Sequence, residues 1–130
     1  MEHPRRREGV NMYYVLDFRK EWNRKPYITL WRPNNAGYCY SIPWAGEYTE
    51  QQVIEEDQYY TRRRYQKKTA DYTGIWERVA VRIDLVKPFF ITPAPGIIDD
   101  DVGPVITNTG QVRVSLRRLR FILPEKRIAA

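Results

Sequence analysis

The chain of 130 residues has very few of the side chains that covalent cross-linking and nucleophilic catalysis need, since it contains one cysteine and one histidine. A single cysteine excludes an intramolecular disulfide framework and favours a reducing compartment. The histidine, His3, lies in a charged N-terminal segment, which excludes a Cys–His or Ser–His pair in the core. Zinc sites need several Cys and His ligands, so they are excluded as well.

Other signatures are also missing. No apolar run approaches the roughly 20 residues that span a bilayer, and neither GxxxxGK[ST] nor GxGxxG occurs. Cys39 lies among aromatic residues without a nearby base, which predicts a buried structural thiol. The adjacent carboxylates of Asp99, Asp100 and Asp101 cannot all converge on one ion, so they predict a solvated acidic turn. We therefore expect no enzyme, no metal, no cofactor and no membrane contact, and a cytoplasmic location.

Positive charge and aromatic rings are abundant. There are 22 Lys and Arg against 16 Asp and Glu, a net charge of +6, and 14% of the residues are aromatic. This balance favours an anionic partner, with nucleic acid first and a nucleotide or an acidic protein face next. Arginines beside aromatic rings are a means of stacking bases. The alternative is that the charge only maintains solubility.

The sequence indicates one domain with a basic extension. Residues 1–11 contain three consecutive arginines and hardly any apolar residues, which predicts a flexible arm. The arm either lies on phosphates or is a frayed terminus. Residues 12–130 have the length of a single α+β domain.

Periodicity and turn residues predict the order β-β-β-α-β-α. Thr49 and Gln52 fit a capping box, and Val112, Val114 and Leu116 fit either a strand or a helix, of which we favour the helix. This order predicts a small antiparallel sheet of about four strands with two helices packed on one face. The predicted elements are strands at 12–18, 26–31, 38–42 and 78–85 and helices at 50–64 and 109–119.

Two basic segments are candidate binding sites. Residues 59–68 interleave positive charges with tyrosines, and such a run can bind phosphates while its rings stack on bases. Its alternative is a helix C-terminus whose cations complement the dipole. On the second predicted helix, three arginines recur at i, i+4 and i+7, which suits either phosphate contact or a solvated face. The candidates are Tyr60, Arg62, Arg63, Arg64 and Tyr65 in the first segment, and Arg113 and Arg117, with Arg120, in the second.

A third candidate is the run WRPNNAGYCYSIPWAGEY at residues 31–48, which carries five large aromatic rings. The expected rim around a base or nucleotide consists of Arg32, Asn34, Asn35, Tyr38 and Tyr40, because amides read base edges and tyrosines stack. The alternative is a hairpin and corner that packs the core, with its tryptophans buried.

Three motifs carry a resemblance that extends over residues 12–120. At WRPNNAGY (31–38), WAGEYTE (44–50) and VGPVITNT (102–109) the sequence resembles small accessory proteins encoded by tailed phages and prophages. The resemblance implies a product that acts in a bacterial host cytoplasm and carries over no catalytic or binding residue.

The resulting functional hypothesis is a non-enzymatic phage protein, for counter-defence or host modulation, that engages an anionic ligand, either nucleic acid or a signalling nucleotide. The alternatives are a protein–protein inhibitor that docks an exposed aromatic patch on a host enzyme, and a virion or assembly component. Whether the chain forms a homo-oligomer stays open.

Overall fold

An antiparallel sheet organises residues 12–125, the part of the chain that the computed structural model describes. Its strand order is β3-β2-β1-β6-β5, with β4 also paired to β1, and β7 pairs separately with β8. The predicted N-terminal arm, residues 1–11, lies outside the described residues. The strands are β1 Met12–Asp17, β2 Thr29–Trp31, β3 Tyr38–Cys39, β4 Tyr48–Thr49, β5 Arg62–Gln66, β6 Asp71–Arg82, β7 Phe90–Ile91 and β8 Val105–Ile106. The helices are α1 Glu50–Glu55, α2 Asp57–Tyr60, α3 Ile83–Val86 and α4 Gly110–Arg118.

The predicted α+β class with an antiparallel sheet is confirmed, but its details differ. The sheet has six strands rather than about four, and four short helices replace the two predicted. The helices also cover both faces of the sheet. Leu16 of β1 belongs to the same core cluster as Leu116 of α4, whereas Val15 packs on the opposite side with Val53 of α1. A central strand that is apolar on both sides requires cover on both faces, so the prediction of one covered face is wrong.

The helix predicted over 50–64 ends at Tyr60. Its capping box is present, because the Thr49 hydroxyl accepts from the Gln52 amide and the Gln52 side chain accepts from the Thr49 amide. Non-helical angles at Glu56 divide α1 from α2. Residues 62–66 then form β5, which pairs with β6. The arginines predicted at a helix C-terminus therefore lie on an edge strand.

The clearest predicted strand, 78–85, is shifted in the structure. It starts earlier, at Asp71, and ends at Arg82, where one helical turn buries Ile83 and Val86. Residues 67–70 form the turn of the β5–β6 hairpin. The helix predicted over 109–119 is confirmed as α4, and the Thr109 hydroxyl caps it by accepting from the Val112 amide.

The aromatic run at 31–48 is largely a packed corner. Trp31 is buried, and its carbonyl accepts from the Gly46 amide. The buried Tyr48 hydroxyl donates to the Arg32 carbonyl and accepts from the Asn35 amide. These bonds hold Tyr48 against the turn at residues 32–35. Trp31, Gly46 and Tyr48 therefore have a structural role in packing this corner, which is the alternative that the sequence left open.

Candidate functional site

Three arginines from two distant segments lie against two aromatic rings at the β5 side of the sheet, and two further arginines lie close to them. The guanidinium carbon of Arg117 lies 5.0 Å from the ring centre of Phe18. The guanidinium carbons of Arg120 and Arg63 lie 4.5 and 5.5 Å from the ring centre of Trp76. We name this surface the arginine flank, and its members are Arg63, Arg64, Arg113, Arg117 and Arg120.

Hydrogen bonds to backbone carbonyls orient three members of the flank. Nη1 of Arg120 donates to the Arg117 carbonyl at 3.0 Å. Nη2 of Arg64 donates to the Phe18 carbonyl at 3.2 Å, while its Nε lies 3.5 Å from the Glu77 carboxylate. Nε of Arg117 donates to the Trp76 carbonyl at 2.7 Å. Because a neutral acceptor compensates little charge, Arg117 keeps most of its positive field.

The flank concentrates like charges. Arg113 donates to the neutral Asn108 side chain. Burial, together with the charges of Arg113 and Arg64, lowers the pKa of the Arg117 guanidinium from its ordinary value. A lowered arginine pKa means that this environment destabilises the charged guanidinium, and a nearby anion would stabilise it. The two basic segments predicted from the sequence therefore form one surface.

The β5–β6 hairpin continues this surface with exposed rings. Tyr65 and Tyr72 are 45% and 52% exposed, and their ring centres lie 5.2 Å apart in an edge-to-face contact. Tyr72 also lines a cavity of about 240 Å³ with Arg62 and Arg63. The ring of Tyr65 therefore lies on the surface, and its role in ligand binding stays a prediction. We name the hairpin, residues 62–82, the ribbon.

Tyr60, one of the predicted ligand-binding residues, is buried in the core. It is 5% exposed, its ring packs on Trp31 and Tyr48, and its hydroxyl donates to Asn35. The interpretation of Tyr60 as a stacking ring is wrong, because α2 ends here and turns the side chain into the core.

A second cavity, of about 470 Å³, lies at the opposite edge of the sheet, beside β3. It contains three of the five rim residues predicted from the aromatic run, Arg32, Tyr38 and Tyr40. Asn34 and Asn35 are not among its lining residues; both have positive φ in the turn, so they serve the backbone. We name it the β3-edge cavity, and its lining is Trp22, Lys25, Thr29, Arg32, Tyr38, Cys39, Tyr40, Ser41, Trp44, Ile97, Ile98 and Asp99.

Trp44 and Cys39, which both line the β3-edge cavity, differ in their exposure to solvent. Trp44 is 40% exposed, so the expectation of a buried Trp44 is wrong. Cys39 is buried, as predicted, and burial raises the pKa of its thiol to about 11, while the charge of Arg32 opposes the rise. The thiol is therefore protonated and unreactive at neutral pH.

A buried ionic network lies between the two edges, and the sequence did not reveal it. The Asp17 carboxylate accepts from Nε and Nη2 of Arg19 and from Nε1 of Trp31. Nε of Arg78 lies 3.5 Å from the same carboxylate, and its Nη1 donates to the Tyr59 carbonyl. An acid at the end of a buried strand was the only signal available.

Among residues 12–125 there is no group of three or more His, Cys, Asp or Glu side chains that could hold a metal ion. Over the same range no helix has the length and apolar character needed to cross a bilayer. No family model, no curated protein and no solved structure matches this chain.

Proposed function

We propose that this chain is a non-enzymatic protein that binds single-stranded nucleic acid through the arginine flank and the ribbon. The observation that carries the proposal is the clustering of the five arginines of the flank. Arg63, Arg117 and Arg120 lie against the rings of Phe18 and Trp76. Arg64 and Arg113 lie close enough for their charges to act on Arg117. A row of phosphates would relieve the repulsion at Arg117 and release counterions from the polyanion.

The exposed rings of the ribbon favour a single strand over a duplex. Tyr65 and Tyr72 are about half exposed, and they follow the arginines along the same hairpin. Unpaired bases can stack on such rings, and each stacked base contributes about 1–3 kcal/mol. A duplex would offer its phosphates but not its base faces.

The biological setting that we propose rests on the sequence resemblance to accessory proteins of tailed phages. In that setting the protein acts in a bacterial cytoplasm and interferes with a host system by occupying nucleic acid. Engagement of a host protein is the alternative, which would bind with weak salt dependence.

Fluorescence anisotropy with a labelled 20-nucleotide single strand, titrated at several salt concentrations, tests the proposal. The key variant combines Arg63→Gln, Lys67→Gln and Lys68→Gln, three exposed side chains of β5 and the hairpin turn. Because each phosphate contact contributes about 0.7 to the slope of log K against log salt, we expect the slope to fall by about 2.

The matched control combines Lys20→Gln, Arg24→Gln and Lys87→Gln, which removes the same charge from exposed positions outside the flank and the ribbon. This control should bind almost as the natural sequence does. Equal loss in both triple variants would show that only net charge matters. Absence of binding at low salt, beside capture of a protein partner, would support the alternative instead.

A further inference from the structure

The β3-edge cavity is a second site, separate from the arginine flank. The cavity is lined by residues of β3 and by Thr29 of β2, and strands β1 and β6 separate β2 from β5 in the strand order. No member of the flank lines the cavity. Its volume of about 470 Å³ falls within the range of about 300–1,000 Å³ that is typical of small-molecule sites. The nucleic-acid proposal leaves this cavity without a role.

Aromatic rings supply the apolar part of the wall. Trp22 and Tyr38 meet edge to face with ring centres 4.9 Å apart, and Tyr40 and Trp44 also line the cavity. Tyr38 is 45% exposed and Trp44 is 40% exposed. Exposed rings around a concave surface favour a planar guest, because a stacked ring removes apolar area from water on both sides.

The charged groups of the wall select the sign of the guest. Arg32 and Lys25 contribute two cations against the single carboxylate of Asp99. Arg32 donates through Nε to the Tyr38 carbonyl at 3.0 Å, and its guanidinium carbon lies 5.4 Å from the ring centre of Trp44. This bond uses one of the five N–H groups of the guanidinium, and the others suit a phosphate.

Further contacts hold these groups in place before any ligand arrives. The Tyr38 hydroxyl accepts from Nη2 of Arg19 at 3.1 Å, and the guanidinium of Arg19 stacks on Trp22 at 3.9 Å. The Arg32 amide donates to the Gly37 carbonyl, and its carbonyl accepts from Tyr48. Such preorganisation lowers the entropic cost of binding.

We infer that the β3-edge cavity binds a nucleotide, with the base stacked on Trp44 and Tyr38 and the phosphate held by Arg32 and Lys25. The Asp99 carboxylate is available to accept from a sugar hydroxyl or from an amino group of the base. The nucleotide is either free or the terminal residue of a nucleic acid. The inference does not depend on the ribbon, since no ribbon residue takes part in it.

The test uses ¹⁵N nuclear magnetic resonance of the full chain, titrated with AMP, GMP, CMP and UMP in turn. The indole N–H signal of Trp44 should shift on binding of at least one of them. Adenosine and inorganic phosphate, added separately, should bind at least tenfold more weakly than AMP if AMP is the nucleotide bound, because each lacks half of the recognised groups. A 5′-phosphorylated trinucleotide is titrated as well, because its terminal residue presents the same base and phosphate as a free nucleotide. Tenfold tighter binding of the trinucleotide assigns the terminal residue, and equal or weaker binding assigns the free nucleotide.

Two variants localise the site. Trp44→Ala should weaken nucleotide binding by about 5- to 150-fold, the loss expected for one stacking contact. Arg32→Gln should weaken it by at least tenfold, and Arg32→Lys should recover part of the affinity, which a purely structural role of Arg32 would not predict. The ribbon variant Arg63→Gln/Lys67→Gln/Lys68→Gln is the control and should bind nucleotide unchanged. Shifts confined to the arginine flank, an unchanged affinity in Trp44→Ala, or no response to any of the ligands at 5 mM, would each overturn the inference.

Discussion

The carboxylate of Asp17 is buried, and hydrogen bonds and opposite charges compensate for its loss of hydration. Burial by itself raises the pKa of this group, but hydrogen bonds from Arg19 and Trp31, and the charges of Arg19 and Arg78, together lower it below its ordinary value. The compensation is specific, because Arg78 is itself buried. Removing one member of a buried pair leaves an uncompensated charge.

The substitution Asp17→Asn should therefore cost about 3–5 kcal/mol of folding free energy. The control is Asp84→Asn, since Asp84 pairs with Arg82 across the same two-residue spacing, with both side chains about 40% exposed. The exposed pair should contribute less than about 1 kcal/mol. Urea unfolding of the three proteins measures both values. Similar losses in the two variants would contradict the role assigned to burial.

Asp17 also predicts how stability depends on pH. Because its pKa is lowered in the folded state, its contribution is complete above the unfolded value of about 3.9 and is lost as the pH falls through the lower folded value. The natural protein should thus lose stability more steeply below about pH 4 than Asp17→Asn does. Urea midpoints between pH 2 and pH 7 measure this difference, and parallel curves would exclude it.

At the scale of elements, capping and periodicity predicted α4 and the start of α1 well, because those signals are local. They failed for β5. Residues 50–64 place acids early and arginines late, as a helix does, yet Arg62–Gln66 form a strand. Within residues 12–125 this strand pairs with β6 alone. An edge hairpin exposed on both sides shows no alternation of apolar and polar residues, so its sequence does not indicate a strand.

The corner formed by the aromatic run depends on Gly46. A Cβ at this position would lie 2.8 Å from the backbone of Pro33 and from the ring of Tyr48, and the backbone cannot move away freely. Gly46→Ala should therefore destabilise the protein by about 1–3 kcal/mol, the usual range for overpacking. Differential scanning calorimetry should show a lower Tm.

Gly74 in β6 is the matched control for Gly46. A Cβ there would meet nothing within 4 Å, so Gly74→Ala should be neutral or should stabilise the fold by up to about 1 kcal/mol. A Tm for Gly46→Ala equal to that of Gly74→Ala would show that the corner can relax around an added methyl group.

At the scale of the whole molecule, the sequence predicted the arginines of the flank and part of the β3-edge cavity, but not their grouping. Trp22, Lys25 and Asp99 of the cavity were missed, because no local pattern marks them. Arg64 and Arg117 are distant in the chain, yet both contact Phe18. Arg32, from the third candidate, follows β2 and lies towards the opposite edge of the sheet from Arg62 on β5. Strand order depends on packing between distant segments, which a local pattern does not encode. Composition predicted an anion-binding surface and left open how many such surfaces the fold makes.

The separation of the two edges leads to a prediction about their independence. No residue is shared between the arginine flank and the β3-edge cavity, and substitutions without shared partners usually add within about 0.3–0.5 kcal/mol. A protein carrying Trp44→Ala together with the ribbon triple should bind nucleotide as Trp44→Ala does and should bind the 20-nucleotide strand as the ribbon triple does. Paired titrations of both ligands against all four proteins measure this. If Trp44→Ala alone weakened strand binding tenfold, one continuous nucleic acid would be crossing both edges, and the two surfaces would act as a single site.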